Sequence, residues 1–388
     1  MPTNNGLVRT AAPLSKRLLD LKRLLERVDG RMARVFLPWV LQHPPFLPAF
    51  LRLLQSHERA RQARVEALGR GLTVPPFLVL SVTSRCNLRC AGCFAGIGCR
   101  SLPEQPEPAL VLEEWREIIR QGVELGVIGF IIAGGEPFLV PGLSSLFREF
   151  RDRLFLVFTN GTALRPPDFN TLENCCNTAV IVSLEGDREL TDARRGAGVY
   201  DCASDCLKRL RKAGTLTGFA VTVTSANAGY WMKPQNVDKY MRRSSRLAFF
   251  MEYIPITEDD IRLQLSSEER SRFREAIAEY RKERNVFLVH SPVDEAALGG
   301  CVSAGRGFAH VNPAGDVTAC PVSNLATHNL KTSTLEQALA SSLFKLIRDH
   351  DGLLETEEHP CALFAHAREL ECLGKGVGAY RCAPIIAL

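Results

Sequence analysis

Short apolar runs alternating with amphipathic stretches mark the middle of the chain. Phe77–Val82, Ile128–Ala133, Leu154–Phe158, Ala179–Val182, Gly218–Thr224 and Leu247–Ile254 each have strand length and composition. Between them, Leu112–Val123, Tyr200–Ala213 and Ser267–Arg281 place apolar residues at helical spacing. Strands alternating with helices of this kind predict a parallel α/β unit over residues 76–290.

Both ends of the chain differ in texture. Leu14, Leu18, Leu21, Leu24, Leu25 and Val28 form a helical stripe with Lys16, Lys22, Arg23 and Arg27 between them. A second apolar stretch, Val35 to Leu54, is broken by Pro38, Pro44, Pro45 and Pro48, too interrupted to cross a bilayer. Residues 56–68 are again basic and helical in character. Residues 1–75 therefore read as a basic helical extension: a lid or brace on the α/β unit, or an amphipathic surface for peripheral membrane contact. The last segment, residues 291–388, shows little alternation, more Gly and five cysteines. Within it, Phe308–Cys320 reads as a β-hairpin turning at Pro313-Ala314-Gly315-Asp316.

At 388 residues and 46% hydrophobic, the chain can bury a large core. Nothing in it has the apolar length of a membrane span or a signal-peptide core. The net charge of +5 is uneven. Residues 1–70 carry thirteen Lys or Arg against five Asp or Glu, a balance of +8, which leaves about −3 for the rest. That basic excess lies in amphipathic helices without interleaved aromatics, so no nucleic-acid partner is expected. Thirteen cysteines are not spaced as a disulfide framework, and a reducing, cytoplasmic setting fits them best.

Three of these cysteines, Cys86, Cys90 and Cys93, fall within eight residues, just past the first strand. Three thiolates at these spacings can wrap one face of a metal centre and leave a coordination position open. A structural zinc site is the competing reading, with Cys99 nearby as a fourth ligand. Cys175, Cys176, Cys202 and Cys206 follow no usable pattern, and the adjacent pair Cys175-Cys176 is most simply small buried hydrophobes.

Four further motifs follow, each at a strand end: Gly134-Gly135-Glu136-Pro137, Thr159-Asn160-Gly161, Ser183-Leu184-Glu185-Gly186 and, shortly after, Arg194-Arg195-Gly196. With the cysteine triplet and in this order, the chain resembles the radical SAM superfamily over residues 76–255. The resemblance implies a partial (β/α)6 TIM-like barrel, with chemistry at the C-terminal ends of the strands. Cys86, Cys90 and Cys93 would ligate a [4Fe–4S] cluster. Gly134, Gly135, Glu136, Ser183, Glu185 and Arg195 would hold S-adenosylmethionine, with Glu136 at its amino group and Arg195 at its carboxylate. Reductive cleavage to a 5′-deoxyadenosyl radical and hydrogen abstraction from a substrate follow from the same resemblance, and no protein side chain is assigned as catalytic. One departure is visible: the position before the third cysteine is usually aromatic in the family, and here it is Gly92, with Phe94 following the triplet.

Cys301, Gly315 and Cys320 look like the opening of the SPASM or twitch auxiliary-cluster domains of such enzymes. The full seven-cysteine SPASM pattern is absent. The twitch-like reading implies a second [4Fe–4S] cluster on Cys301, Cys320 and Cys361, completed by Cys372 or Cys382. His310 and His366 are further candidate ligands. Asn227 and Glu252 are candidates for the barrel mouth or ordinary loop polar residues. The fold expected is thus α/β: a partial barrel with an N-terminal helical extension and a small C-terminal cysteine-containing domain. The partners implied are a reductase or a flavodoxin- or ferredoxin-type electron donor and a substrate, lipid-like or a small metabolite, with peptide modification as the alternative. A non-catalytic iron–sulfur or zinc-binding protein is the reading from another class.

Overall fold

The computed structural model describes residues 40–93, 95, 109–243, 246–255, 258–350, 352–355 and 360–382. The helical stripe at 14–28, Phe94 and Cys99 lie outside the described residues. Eleven strands form one sheet: β1 (Phe77–Ser81), β2 (Gly129–Ala133), β3 (Leu154–Thr159), β4 (Thr178–Ser183), β5 (Leu216–Val223), β6 (Leu247–Glu252), β7 (Phe287–Ser291), β8 (Phe308–Val311), β9 (Asp316–Thr318), β10 (Leu325–Asn329) and β11 (Tyr380–Arg381). Their order is β11-β10-β9-β8-β1-β2-β3-β4-β5-β6-β7. Pairing is parallel from β8 through β1 to β7 and antiparallel from β8 to β11.

Alternating side chains divide the sheet's two faces. Inward residues Ala179, Ile181, Ala220 and Leu247 pack with Leu156, Phe158, Phe249 and Phe287 to fill the barrel lumen. Outward residues such as Phe130, Phe155, Val180, Phe219 and Phe250 pack under the helices. Burial on both faces is what makes these strands continuous apolar runs. The main crossover helices are α2 (Leu112–Leu125), α3 (Leu143–Glu149), α4 (Pro166–Leu172), α5 (Arg188–Arg195), α6 (Val199–Lys212), α7 (Pro234–Met241) and α8 (Ser267–Glu283). Before them comes α1 (Leu47–Gly69).

Prolines that interrupt the apolar stretch before residue 54 do not stop α1. Pro48 stands in its first turn, where a missing N–H costs nothing. The helix is a brace, not a lid over the strand ends that carry the motifs. Arg64 Nη1 donates to Gly126 O at 2.5 Å, and Ser56 Oγ meets Asp152 and Arg153. Those partners precede β2 and β3, so α1 sits at the end of the barrel opposite the motifs. No described helix is long and apolar enough to cross a membrane.

The C-terminal segment is built into the barrel's own sheet. β8 pairs with β1, and His310 binds both sides of that seam: Nε2 to Ser81 Oγ and Nδ1 to Thr318 Oγ1, each at 2.8 Å. Its two nitrogens are thereby used, which corrects the expectation of a metal ligand. His366 likewise pairs with Glu369 at 3.1 Å.

Candidate functional site

The cysteine triplet and the motifs at Gly134, Thr159 and Ser183 lie at the C-terminal ends of parallel strands, Arg194-Arg195-Gly196 closes α5, and backbone bonds tie several of them together. Leaving β1, the cysteine loop is gripped by the glycine motif that leaves β2. Gly135 N donates to Thr83 O at 2.7 Å and Glu136 N to Arg85 O at 2.8 Å. The approach is so close that a Cβ on Gly135 would lie 2.0 Å from Arg85 O. From β3, Asn160 Nδ2 donates to Asn87 Oδ1 at 2.9 Å and reaches Cys86 Sγ at 3.9 Å, and Asn87 donates on to Thr162 Oγ1 at 2.7 Å. The far end of the loop is tied to α5, with Ala91 N donating to Arg194 O at 2.8 Å.

Glu136 has a different task from the one the resemblance implies. Its side chain is fully buried, and it accepts from Thr159 Oγ1 at 2.7 Å, Asn160 N at 2.8 Å and Phe138 N at 3.2 Å. It bolts the end of β2 to the end of β3 and, through Asn160, steadies the cysteine loop. Burial pushes its pKa up, against the pull of those three donors. A carboxylate enclosed in this way does not face an incoming ammonium; only the motif's backbone lies toward the loop.

Glu185 is also internal. Arg194 Nη1 and Arg195 Nη2 each stand 2.6 Å from Oε1, while Thr222 N and Asn227 Nδ2 donate to Oε2 at 3.2 and 3.4 Å. Two guanidiniums on one carboxylate leave a surplus of one positive charge beside the triplet. Burial raises the Cys90 thiol, and Arg195 and Arg194 pull it back. Burial alone would lower Arg194, but Glu185 and the thiols at Cys90 and Cys93 hold it raised. Ser183 is half-buried at the end of β4. Asn227 belongs to this network and also donates to Glu185 O at 3.2 Å. Glu252 turns the other way, to Arg270 at 2.7 Å and His290 at 3.2 Å.

Among the described residues no set of three or more His, Cys, Asp or Glu side chains stands in finished metal-ligating geometry. The donor set nonetheless suits a cluster. Three free thiols on one anchored loop border a surplus cation, and the thiols act electrostatically on one another. Beside them the buried Tyr253 ring lies against Gly92. In the C-terminal segment Cys301, Cys320 and Cys361 form a second group of mutually interacting thiols, all raised by burial, Cys301 to about 11 and Cys361 to about 12. Cys372 is exposed, and Cys382 Sγ is 3.2 Å from Asn324 O.

Residues 80–231 match the Radical SAM superfamily model. Over those residues the chain carries a radical SAM domain. It is 29% identical over 163 residues to the sporulation killing factor maturation protein SkfB of Bacillus subtilis, covering 40% of this chain and 37% of that protein. With the mycofactocin maturase MftC of Mycolicibacterium smegmatis it is 28% identical over 281 residues, 66% of this chain and 67% of the relative. Streptococcus suis SuiB bound to the precursor peptide SuiA shares the fold with a TM-score of 0.62 at 18% identity, over 76% of this chain and 71% of that one. The chain spans about two fifths of the length of the first curated relatives it matches. Domains of this superfamily use a [4Fe–4S] cluster and S-adenosylmethionine.

Asn160 and Arg194 stand inside recognised motifs but had no role assigned to them. Asn87 and Tyr253 become visible only when separate strand ends converge.

Proposed function

We propose that this radical SAM enzyme modifies a peptide. The observation carrying this reading is that the similarity to a maturase runs past the barrel, over 66% of the chain. A fold shared with a protein that binds a precursor peptide supports it. The relatives thus move the substrate from a lipid-like molecule or small metabolite toward a peptide.

When bound, the cluster and S-adenosylmethionine supply the radical that abstracts hydrogen from the substrate. The chain's own residues hold and shield. Cys86, Cys90 and Cys93 ligate the cluster, and the surplus charge of Arg194 and Arg195 orients the carboxylate of S-adenosylmethionine. The backbone of Gly134 and Gly135 and the hydroxyl of Ser183 complete its seat. Phe249, Phe158 and the 37% exposed Met251 wall the lumen below with apolar surface, which excludes water from a reactive intermediate. Cys301, Cys320 and Cys361 hold an auxiliary cluster in a twitch-like segment. A one-electron donor of the reductase, flavodoxin or ferredoxin type would supply the electron that the first cluster needs, in a reducing compartment.

Anaerobic reconstitution with iron and sulfide counts tests the cluster assignment. About eight irons per chain are expected, falling to about four in Cys301→Ala/Cys320→Ala/Cys361→Ala, since each cubane holds four. Short peptides encoded beside the gene are then incubated with S-adenosylmethionine and reductant. A peptide that loses mass as 5′-deoxyadenosine accumulates supports the reading. Turnover of porphyrin or lipid substrates with every peptide unchanged refutes it. Bound zinc without 5′-deoxyadenosine refutes the whole assignment.

A further inference from the structure

Asn227 follows β5 and is 2% exposed. Its amide Oδ1 accepts from Thr224 N at 2.8 Å, and Nδ2 donates to Thr222 O at 3.0 Å. Nδ2 also stands 3.2 Å from Glu185 O and 3.4 Å from Glu185 Oε2. The three neighbours of Nδ2 are all acceptors and the neighbour of Oδ1 is a donor, so a single orientation of the amide satisfies both ends. An ionised aspartate has the same shape and is unsuited to the place. It would turn an oxygen toward Thr222 O, Glu185 O and Glu185 Oε2, where only a donor fits.

This amide governs how Glu185 is shared. Oε2 is taken by neutral donors, Asn227 Nδ2 and Thr222 N, the latter at 3.2 Å. Oε1 is left to the cations, with Arg194 Nη1 and Arg195 Nη2 each at 2.6 Å and Arg195 Nε at 2.8 Å. The backbone of Glu185 is fixed as well, because Trp231 Nε1 joins Asn227 on Glu185 O at 3.0 Å. Neutral donors on Oε2 leave the charge count at one carboxylate against two guanidiniums. We propose that Asn227 is a positioning residue: it holds Glu185 through a neutral amide, sets Arg194 and Arg195 in place, and preserves the one surplus positive charge that receives the carboxylate of S-adenosylmethionine. The inference rests on the reading that those arginines bind that carboxylate. An anion at residue 227 would cancel the surplus, and in a buried site little solvent screens it. A small apolar residue would free Oε2 to pull the guanidiniums from their places.

Asn227→Ala removes the amide, and Asn227→Asp keeps its shape while adding a negative charge. Reconstituted wild type and both variants are compared by equilibrium dialysis with S-adenosylmethionine and with 5′-methylthioadenosine, together with iron counts. The second ligand has the nucleoside and the sulfur but no methionyl carboxylate. Iron should stay at the wild-type level. S-adenosylmethionine should bind about tenfold more weakly to Asn227→Ala, the factor of one lost hydrogen bond to a charged group, and more weakly still to Asn227→Asp. Binding of 5′-methylthioadenosine should be unchanged in both. Wild-type affinity for S-adenosylmethionine in both variants overturns the inference alone, and so does Asn227→Asp binding it no more weakly than Asn227→Ala. Equal weakening of the two ligands also overturns it, because Asn227 would then shape the whole pocket and not its charge. Loss of iron in both variants does the same, since the residue would then serve the fold; where Asn227→Ala alone loses iron, Asn227→Asp carries the test. A wild type that binds S-adenosylmethionine no more tightly than 5′-methylthioadenosine overturns the underlying reading together with this one.

Discussion

Gly135→Ala tests whether the glycine motif positions the cluster loop through backbone contact. The new Cβ would fall 2.0 Å from Arg85 O, 2.5 Å from Arg85 C and 3.0 Å from Ser84 O. Ordinary contact begins near 3.4 Å, so the Arg85 carbonyl must retreat by about 1.4 Å. No flexible side chain is there to yield; the obstacle is backbone, and Cys86 is the next residue. Retreat breaks the bonds Gly135 N–Thr83 O and Glu136 N–Arg85 O, of 2.7 and 2.8 Å. Two lost hydrogen bonds at about 0.5–1.5 kcal/mol each and about 1–3 kcal/mol of overpacking sum to roughly 2–6 kcal/mol. That is enough to displace a loop and small against the burial on both faces of the sheet. The variant should keep a wild-type far-UV circular dichroism spectrum, while iron retained after anaerobic reconstitution falls by about four per chain, the content of one cubane. Gly229→Ala is the control, since nothing lies within 4 Å of a Cβ there. Full iron in Gly135→Ala would refute the reasoning, because the loop would then tolerate a shift larger than its anchoring allows.

Glu185→Gln should lower the melting temperature of the cluster-free protein by about 5–15 °C. It leaves two buried guanidiniums without their carboxylate, a loss of about 3–5 kcal/mol. A shift under about 2 °C in a thermal melt would contradict that pairing. His310 titrates near 3 because burial disfavours its charged form, against about 6.5 in an unfolded chain. The unfolded state therefore binds the extra proton below about pH 6.5. The native state loses stability as pH falls, by about 2 kcal/mol between pH 7 and 5. His310→Gln removes this dependence, so the gap between variant and wild type in urea unfolding of the cluster-free protein should narrow by that amount at pH 5. A gap independent of pH would refute it.

What could be read in advance divides by distance along the chain. The strands were legible because burial on both faces makes each a continuous apolar run. β5 begins two residues earlier than its apolar run suggested, at Leu216, and β6 ends at Glu252. The cysteine loop and the motif order were legible because each is local. The partnerships were not. Glu136 carries the same letters whether it faces a ligand or, as here, bolts β2 to β3. Only the convergence of Thr159 and Asn160 on it decides. The same holds for the C-terminal cysteines: that Cys301 and Cys361 both act electrostatically on the Cys320 thiol is a property of the fold and not of their spacing.

Gly92 gives the clearest case. Read along the chain, glycine before Cys93 is a missing aromatic side chain. Read in the fold, an aromatic ring is present there, but it arrives from the end of β6, and the glycine exists to admit it. A compensation of this kind leaves no local trace, because the two residues share neither an element nor a motif. Parallel strands deliver such pairs readily: every strand ends at the same face, so a side chain missing from one loop can be supplied by any neighbour that closes over it. Residues that tune the cluster of this enzyme are therefore to be sought at the ends of β3 to β6, in contact with the cysteine loop, and not within the loop itself.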